Sequence, residues 1–273
     1  MIDTLKNIGR VGLLYGGTSS EREISLASGT AVAEALKRLK INVSLIDVGK
    51  DLLEKLHTQN PDRAFIALHG PGGEDGTIQG LLEYLEIPYS GSGVKASALA
   101  MDKLRCKQMW RGSGLPTADF ECLNVDSDWA AILESLGGSV IVKPSREGSS
   151  IGMSIAENPQ DLEQAWHEAV CFDSEVIAEQ MLRGEEYTVA ILDGEVLPSL
   201  RITTKSNFYD FMAKYQPVNT QYFCPSGLSD RRERELGELC LEAFTSIDCQ
   251  GWGRVDVMTD ENGIFYLLEV NTV

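Results

Sequence analysis

The chain of 273 residues is poor in basic side chains and has no long apolar run. Its 24 Lys and Arg stand against 41 Asp and Glu, a formal net charge of −17 at pH 7. Such a field repels nucleic acid and anionic lipid surfaces, so neither is expected as a partner. Any phosphate it binds must meet local cations or a metal ion. No apolar stretch approaches the roughly 20 residues of a membrane span, and no basic, apolar, small-residue leader is seen, so the expected compartment is the cytoplasm. Six cysteines, at 106, 122, 171, 224, 240 and 249, include no C-x-x-C and no metal-finger spacing. That argues against disulfides and zinc, and they are expected to be reduced and mostly in the core.

What is present is ordinary for a globular protein, 43% hydrophobic residues over a length that fits two or three domains. The first hundred residues alternate apolar runs with helical patterns: RVGLLYGG, EISLASGTAVAEALKRL, VSLIDV, DLLEKL, AFIALHG, TIQGLLEYL. Alternation of that kind predicts a parallel α/β sheet, with ligands beyond the carboxyl ends of its strands. From about residue 100 the pattern changes to a helix, MDKLRCKQMWRGSG, then strands ADFECL, SVIVKP, MSIA and VIAEQM around helices near 128–136 and 159–170. A third segment holds the hairpin EYTVAILDGEVLPSLRI, a long irregular stretch, the helix DRRERELGELCLEAFTSID and a closing hairpin.

That closing hairpin, GRVDVMTDENGIFYLLEVNTV, carries acids and an amide among its apolar residues. Asn-Gly between alternating runs predicts a two-residue primed turn with positive φ at Asn262 and Gly263. Pairing outward sets Asp256 opposite Glu269 and Arg254 opposite Asn271, all on one face, with Val255, Val257, Leu268 and Val270 on the other. Two carboxylates head to head are unfavourable unless a cation sits between them, and Mg²⁺ with substrate phosphates suits Asp, Glu and an Asn oxygen. A solvated polar face is the alternative.

Further candidates lie at strand ends. In VIVKPSREGSSIGMS, Lys143 ends an apolar strand before a Gly/Ser loop able to aim backbone N–H groups at phosphate, although the spacing is not that of a Walker A loop. Glu179 follows another apolar strand and could meet an adenine amino group, with Gly184 and Glu186 near a ribose, although the local pattern alone favours a polar linker. Lys103 heads a helix that Asp102 would cap. In GGTSSERE, Ser20 and Glu23 form a capping box, and Glu21 suits either the helix dipole or a substrate ammonium. His69 ends a strand before PGGEDG, as a structural or a functional histidine. Lys214 and Tyr215 lie in the aromatic stretch NFYDFMAKYQP, whose length suggests a lid.

Together GGTSSERE, ALHGPGGEDGTIQG, SGSGVKASALAMDK, VKPSREGSSIGM, YDFMAKY, QYFCPSGL, GWGRVDVM and LLEVNT resemble, in order and over essentially the whole chain, the D-alanine:D-alanine ligases of the ATP-grasp superfamily. The resemblance implies an α/β and α+β chain: an N-terminal parallel α/β substrate domain over 1–100, then two α+β domains, 101–183 and 184–273, that clasp ATP. It implies that ATP phosphorylates the carboxylate of one D-alanine and that the amine of a second attacks the acyl phosphate, giving a peptidoglycan precursor dipeptide. In that scheme Glu21 binds the first ammonium and, with Ser149 and Tyr215, holds a mobile loop shut, with His69 near the same substrate. Lys103, Lys143 and Lys214 take the ATP phosphates; Glu179, Leu182 and Glu186 take adenine and ribose. Asp256, Glu269 and Asn271 hold two Mg²⁺, for which Mn²⁺ can substitute, and Arg254 steadies the acyl phosphate. A homodimer is expected from relatives.

Two departures accompany the resemblance. The family continues past LEVNTV into a loop with a backbone oxyanion donor and a serine for the second D-alanine, so the sequence is expected to be a fragment or truncated and not to turn over normally. Met212 stands where many relatives have glutamate, with little effect expected beyond loop packing. The rival readings are another ATP-grasp carboxylate–amine ligase, a D-alanyl-D-lactate type ligase, which Tyr215 disfavours, and a nucleotide-binding regulator with a degenerate site.

Overall fold

The computed structural model describes residues 8–204 and 220–273. The chain divides into two compact units: Met1–Ala100 with Asp248–Gly253 and Asn271–Val273, and Met101–Ile247 with Arg254–Val270.

The first unit contains β1 (Arg10–Gly16), α1 (Arg22–Arg38), β2 (Asn42–Val48), α2 (Leu52–Gln59), β3 (Arg63–Ile66), α3 (Thr77–Tyr84) and the start of α4 (Val94–Met101). Its sheet has the order β2-β1-β3 and is parallel throughout, with Leu13 beside both Leu45 and Phe65. Helices cover both faces. Leu14, Ile46 and Ile66 pack on Leu52 and Leu56 of α2 and Ile78 and Leu82 of α3. Leu13 and Ala67 pack on Ala33 of α1. Two covered faces explain why β1 reads as an unbroken apolar run rather than an alternating one. The loops after β1 and β3 therefore leave the sheet at the same edge.

The second unit opens with α5 (Lys103–Gly112), followed by β4 (Phe120–Leu123), α6 (Trp129–Ser135), β5 (Val140–Pro144), β6 (Ser154–Ala156), α7 (Pro159–Ala169) and β7 (Val176–Gln180). These strands form an antiparallel sheet, order β4-β7-β5-β6. Its elements follow the order read from the sequence. Asp128 and Asn158 accept the N–H groups of Ala131 and Asp161 as helix caps, and Pro159 opens α7 where a missing N–H costs nothing. Val140, Val142, Val176 and Ala178 bury one sheet face against Leu133 of α6 and Leu162, Ala165 and Ala169 of α7. Strand alternation sends Ile141, Lys143, Ile177 and Glu179 to the other face.

A six-stranded sheet completes the unit: β8 (Glu186–Leu192), β9 (Glu195–Val196), β10 (Leu200–Thr204), β11 (Thr220–Phe223), β12 (Trp252–Thr259) and β13 (Phe265–Asn271), in the order β11-β10-β8-β12-β13 with β9 on β8. The helix α8 (Asp230–Ser246) buries Leu236, Cys240, Ala243 and Phe244. Trp110 of α5, fully buried, donates its indole N–H to Ala243 O at 3.3 Å.

Several local expectations are corrected. The turn with positive φ at both centres occurs at Asp193 (51°) and Gly194 (80°), not at Asn262–Gly263, where only Gly263 is positive at 79°. The closing turn is instead a three-residue loop: Gly263 N–H donates to Asp260 O at 3.1 Å and Asp260 N–H to Ile264 O at 3.0 Å. Asp260 accounts for the difference, because its side chain accepts the N–H groups of Asn262 (2.9 Å) and Ile264 (2.8 Å) and stabilises a type I geometry. The turn thus closes at 260 and 264 rather than at 261 and 264. Burial along β13 then slips by one: Phe265 and Leu267 are buried, Leu268 and Glu269 are both half-buried, and Val270 is buried again. Leu267, not Leu268, joins Val255, Val257 and Val270 inside.

The capping box of Ser20 with Glu23 does not form; α1 starts at Arg22 after Glu21, with no side-chain cap bond. Three of the six free cysteines, 106, 240 and 249, are buried and three are exposed, so the core expectation fails for Cys122, Cys171 and Cys224.

Candidate functional site

In the first unit the candidate residues sit where the β1 and β3 loops meet. The Ser19 hydroxyl donates to His69 O at 2.7 Å and accepts the Glu21 N–H at 3.2 Å. Ser25 repeats the tie one turn into α1, accepting Gly16 N–H at 2.8 Å and donating to Ala67 O at 2.6 Å. Thus the strand ends, not the helix cap, fix where Glu21 points. Its carboxylate is buried and lies against Gly70, whose φ is 70°; a Cβ there would stand 2.6 Å from Glu21 Oε2. Only glycine tolerates both that backbone and that neighbour. His69 Nε2 is 3.0 Å from Ser28 Oγ, and Nδ1 is 3.8 Å from Glu74 Oε1. Glu74 also accepts the Gly70 N–H at 2.7 Å. Glu21 and His69 are therefore brought together, in a polar corner with acidic character suited to a small ammonium.

In the second unit the phosphate candidates are built by α5 and β5. Asp102 caps α5 by accepting Arg105 N–H at 3.0 Å and also accepts the Ser145 hydroxyl at 2.8 Å, while Ser145 O accepts Lys103 N–H at 2.9 Å. This stitching aims Lys103 across the strand end. Its ammonium donates to Glu147 O at 2.6 Å and stands 3.3 Å from Glu269 Oε2. Lys143, on the α5-facing side of its strand, lies 2.8 Å from Glu179 Oε2. The loop after β5 carries Ser149 and Ser150 at φ 51° and 61° and Gly152 at 69°, and folds on itself, with Ile151 N–H donating to Gly148 O at 3.0 Å. Arg146 anchors the loop root, its guanidinium 3.0 and 2.5 Å from Asp173.

Leu182 is buried just past β7, and Glu186 heads β8. A side chain at Gly184 would collide with Thr259, so this glycine lets the chain pass close to β12. Lys214 and Tyr215, with Met212, lie outside the described residues.

Sequence reasoning missed Lys107. It is fully buried, 3.5 Å from Glu179 Oε1 and 2.5 Å from Thr117 Oγ1. The signal was available: 103, 107 and 110 follow the i, i+4, i+7 spacing of one helix face, and all three are buried. Burial lowers the Lys107 ammonium to about 8, against the pull of Glu179 and with a further push from Lys143. Burial raises the Glu179 carboxyl, but Lys107 and Lys143 outweigh it, and the net shift is downward. Glu179 is ionised at neutral pH.

On the terminal strands, Arg254 grips Asp256 with two bonds of 2.9 Å, and Thr188 donates to Asp256 Oδ1 at 2.6 Å. Each carboxylate expected to need a divalent ion thus has a basic neighbour, Arg254 for Asp256 and Lys103 for Glu269. A basic side chain, and not only a divalent ion, therefore offsets the charge of each carboxylate. Among the described residues no group of three or more His, Cys, Asp or Glu gathers for a metal. Two carboxylates with hard oxygens nonetheless fit Mg²⁺, which takes few protein ligands and completes its shell with phosphate and water. No helix among the described residues is long and apolar enough to cross a membrane.

The family model described as D-ala D-ala ligase C-terminus matches residues 109–273, and the model described as D-ala D-ala ligase N-terminus matches 10–55 and 52–92. The chain is 52% identical over 266 residues to a D-alanine–D-alanine ligase of Saccharophagus degradans, covering 97% of this chain and 85% of that one. It is 55% identical over 269 residues to one of Nitrosococcus oceani, covering 98% and 85%. Among solved structures, a D-alanine–D-alanine ligase of Bacillus anthracis superposes with a TM-score of 0.85 at 35% identity, over 97% of this chain and 87% of that one. The same enzyme complexed with ATP gives 0.83 at 33%, over 97% and 86%. The chain belongs to the D-alanine–D-alanine ligase family.

Proposed function

We propose that the chain joins two D-alanine molecules at the expense of ATP, through an acyl phosphate, to supply the dipeptide of peptidoglycan precursors. The observation that carries this reading is the gathering of Lys103, Lys107 and Lys143 around the ends of β5 and β7 in a chain where acids outnumber bases 41 to 24. Transfer of a γ-phosphoryl group to a carboxylate builds charge on phosphoryl oxygens, and catalysis is chiefly positioning and electrostatic stabilisation. Lys103 and Lys143 supply cations to the triphosphate, with Lys214 assigned the same role from the sequence. Leu182 and Glu186 flank the base and ribose. Glu21 takes the ammonium of the first D-alanine, with His69 beside it, and Arg254 steadies the acyl phosphate. Ser149 and Tyr215 complete the residues assigned to substrate.

Asp256, Glu269 and Asn271 are the assigned Mg²⁺ or Mn²⁺ ligands; the ion, when bound, neutralises phosphate charge as a Lewis acid. The division at about 183 into two ATP-clasping domains, a homodimer and a cytoplasmic location complete the proposal. Phosphate release from ATP tests it, measured with D-alanine, L-alanine or D-lactate and repeated with Glu269→Gln. D-alanine alone should stimulate release, and the substitution should abolish the stimulation. Release that ignores D-alanine, or prefers D-lactate, overturns the reading.

A further inference from the structure

The two oxygens of Glu179, near the end of β7, meet different surroundings. Oε2 lies 2.8 Å from the Lys143 ammonium. Oε1 is buried with no hydrogen-bond partner, although Lys107 Nζ stands 3.5 Å away. A buried, ionised oxygen left without a donor is unfavourable, and a ligand that brings one relieves it. Thr117 explains why Lys107 does not close on this oxygen. The Lys107 ammonium donates to Thr117 Oγ1 at 2.5 Å, and that hydroxyl gives its own hydrogen to Leu267 O at 2.9 Å, so only its lone pairs face the lysine. The Phe120 ring adds a further contact, 5.5 Å from Nζ. Lys107 is thereby fixed close enough to balance the carboxylate and too far away to cap it.

We propose that Lys107 and Thr117 are positioning residues for nucleotide specificity: the ammonium, held back by the Thr117 hydroxyl, keeps Glu179 a charged acceptor whose open Oε1 takes a hydrogen from a purine 6-amino group and rejects a 6-oxo group. The inference deepens the ATP reading of this unit, in which Glu179 meets the adenine amino group, and it rests on that reading. An amino group supplies the missing donor. A 6-oxo group sets one acceptor against another and leaves both unpaired. The charged groups facing Glu179 are Lys103 and Lys107 from α5 and Lys143 from β5, so its charge is offset from two elements. Without Lys107 the buried carboxylate loses one of these cations. It then takes a proton or turns both oxygens to Lys143, and in each case Oε1 ceases to be a fixed, charged acceptor. Without the Thr117 hydroxyl, Lys107 closes on Oε1 and occupies the position that the amino group needs.

The test is calorimetric binding of Mg·ATP and Mg·ITP to the full chain at neutral pH, ITP carrying a 6-oxo group in place of the 6-amino group. Wild type should favour ATP by roughly 10- to 100-fold, the worth of a hydrogen bond to a charged group. Lys107→Met and Thr117→Val should each shrink that preference by about tenfold. Thr117→Ser keeps the hydroxyl and should retain the preference. A merely structural role for Lys107 or Thr117 predicts instead that both nucleotides weaken together, with their ratio unchanged. Thr117→Val preserves the side-chain shape and carries the test if Lys107→Met does not fold. Wild type that binds both nucleotides equally, or a ratio unchanged in either folded variant, overturns the inference while leaving the ATP site standing. Wild type that binds neither nucleotide overturns the ATP reading itself.

Discussion

Lys143 and Glu179 are diagonal neighbours on β5 and β7, and their charged atoms meet at 2.8 Å on the sheet face that looks toward α5. The opposite face of the same two strands is apolar except for Gln180 at the end of β7. A two-residue period therefore separates the core of this subdomain from its charge, and the same alternation that packs Val140 and Val142 delivers Lys143 to the site.

Lys107 gives the fold a measurable alkaline signature. Its folded value is lowered to about 8, below the ordinary lysine value, so between these two the unfolded chain binds more protons than the folded one. Stability should rise with pH across that window and gain nothing from this group below it. Urea denaturation at pH 7.5, 8.5 and 9.5 should show the rise in wild type, at most about 3 kcal/mol, and its loss in Lys107→Met.

Asp173 predicts the acid limb. Burial raises its carboxyl, but hydrogen bonds from Arg146 and the backbone N–H of Glu175 outweigh burial and hold it below the ordinary range. Its contribution is present above the unfolded value of about 3.9 and lost as pH falls through the lower folded value. Melting temperature against pH should therefore drop less steeply below about pH 4 in Asp173→Asn than in wild type, starting from a lower neutral value.

Trp110 tests the packing of α5 on α8. It is fully buried and its N–H is bonded to Ala243 O. Trp110→Ala should cost about 3–5 kcal/mol of stability, read by denaturation, and should weaken ATP binding because the same helix carries Lys103 and Lys107.

Glu21 tests the amino-acid corner apart from the nucleotide. Glu21→Gln keeps the shape beside Gly70 but removes the charge. The apparent KM for D-alanine should rise roughly 10- to 100-fold, the worth of a charged hydrogen bond. Affinity for Mg·ATP should stay within about twofold. A parallel loss of ATP affinity contradicts the assignment.

Most elements were legible because their patterns were clean: an unbroken apolar β1, apolar runs at 140–144 and 176–180, and the cap at Asp102. Two failures share one cause, a side chain competing for a turn. Asp260 took the N–H groups that would have gone unmade in a primed Asn-Gly turn, and Ser19, tied to His69 O, displaced Ser20 as the residue shaping the start of α1. The Ser19–His69 bond spans 50 positions and is not visible in a local pattern, whereas the Asp260 bonds span only two and four and compete locally with the Asn-Gly signal. Lys107 differs: its place on the face of 103 and 110 was legible, but its partner, a carboxylate 72 positions later in the chain, was not.

The central claim, that ATP activates the carboxylate of D-alanine, is tested most directly by isotope transfer. With D-alanine carrying ¹⁸O in both carboxylate oxygens, attack on the γ-phosphorus and displacement by the second amine must leave one ¹⁸O in each phosphate released and one in the new peptide carbonyl. Mass spectrometry of the phosphate should show that single label, formed in step with the dipeptide. Unlabelled phosphate, released at the same rate whether or not dipeptide appears, would mean simple ATP hydrolysis and contradict the account.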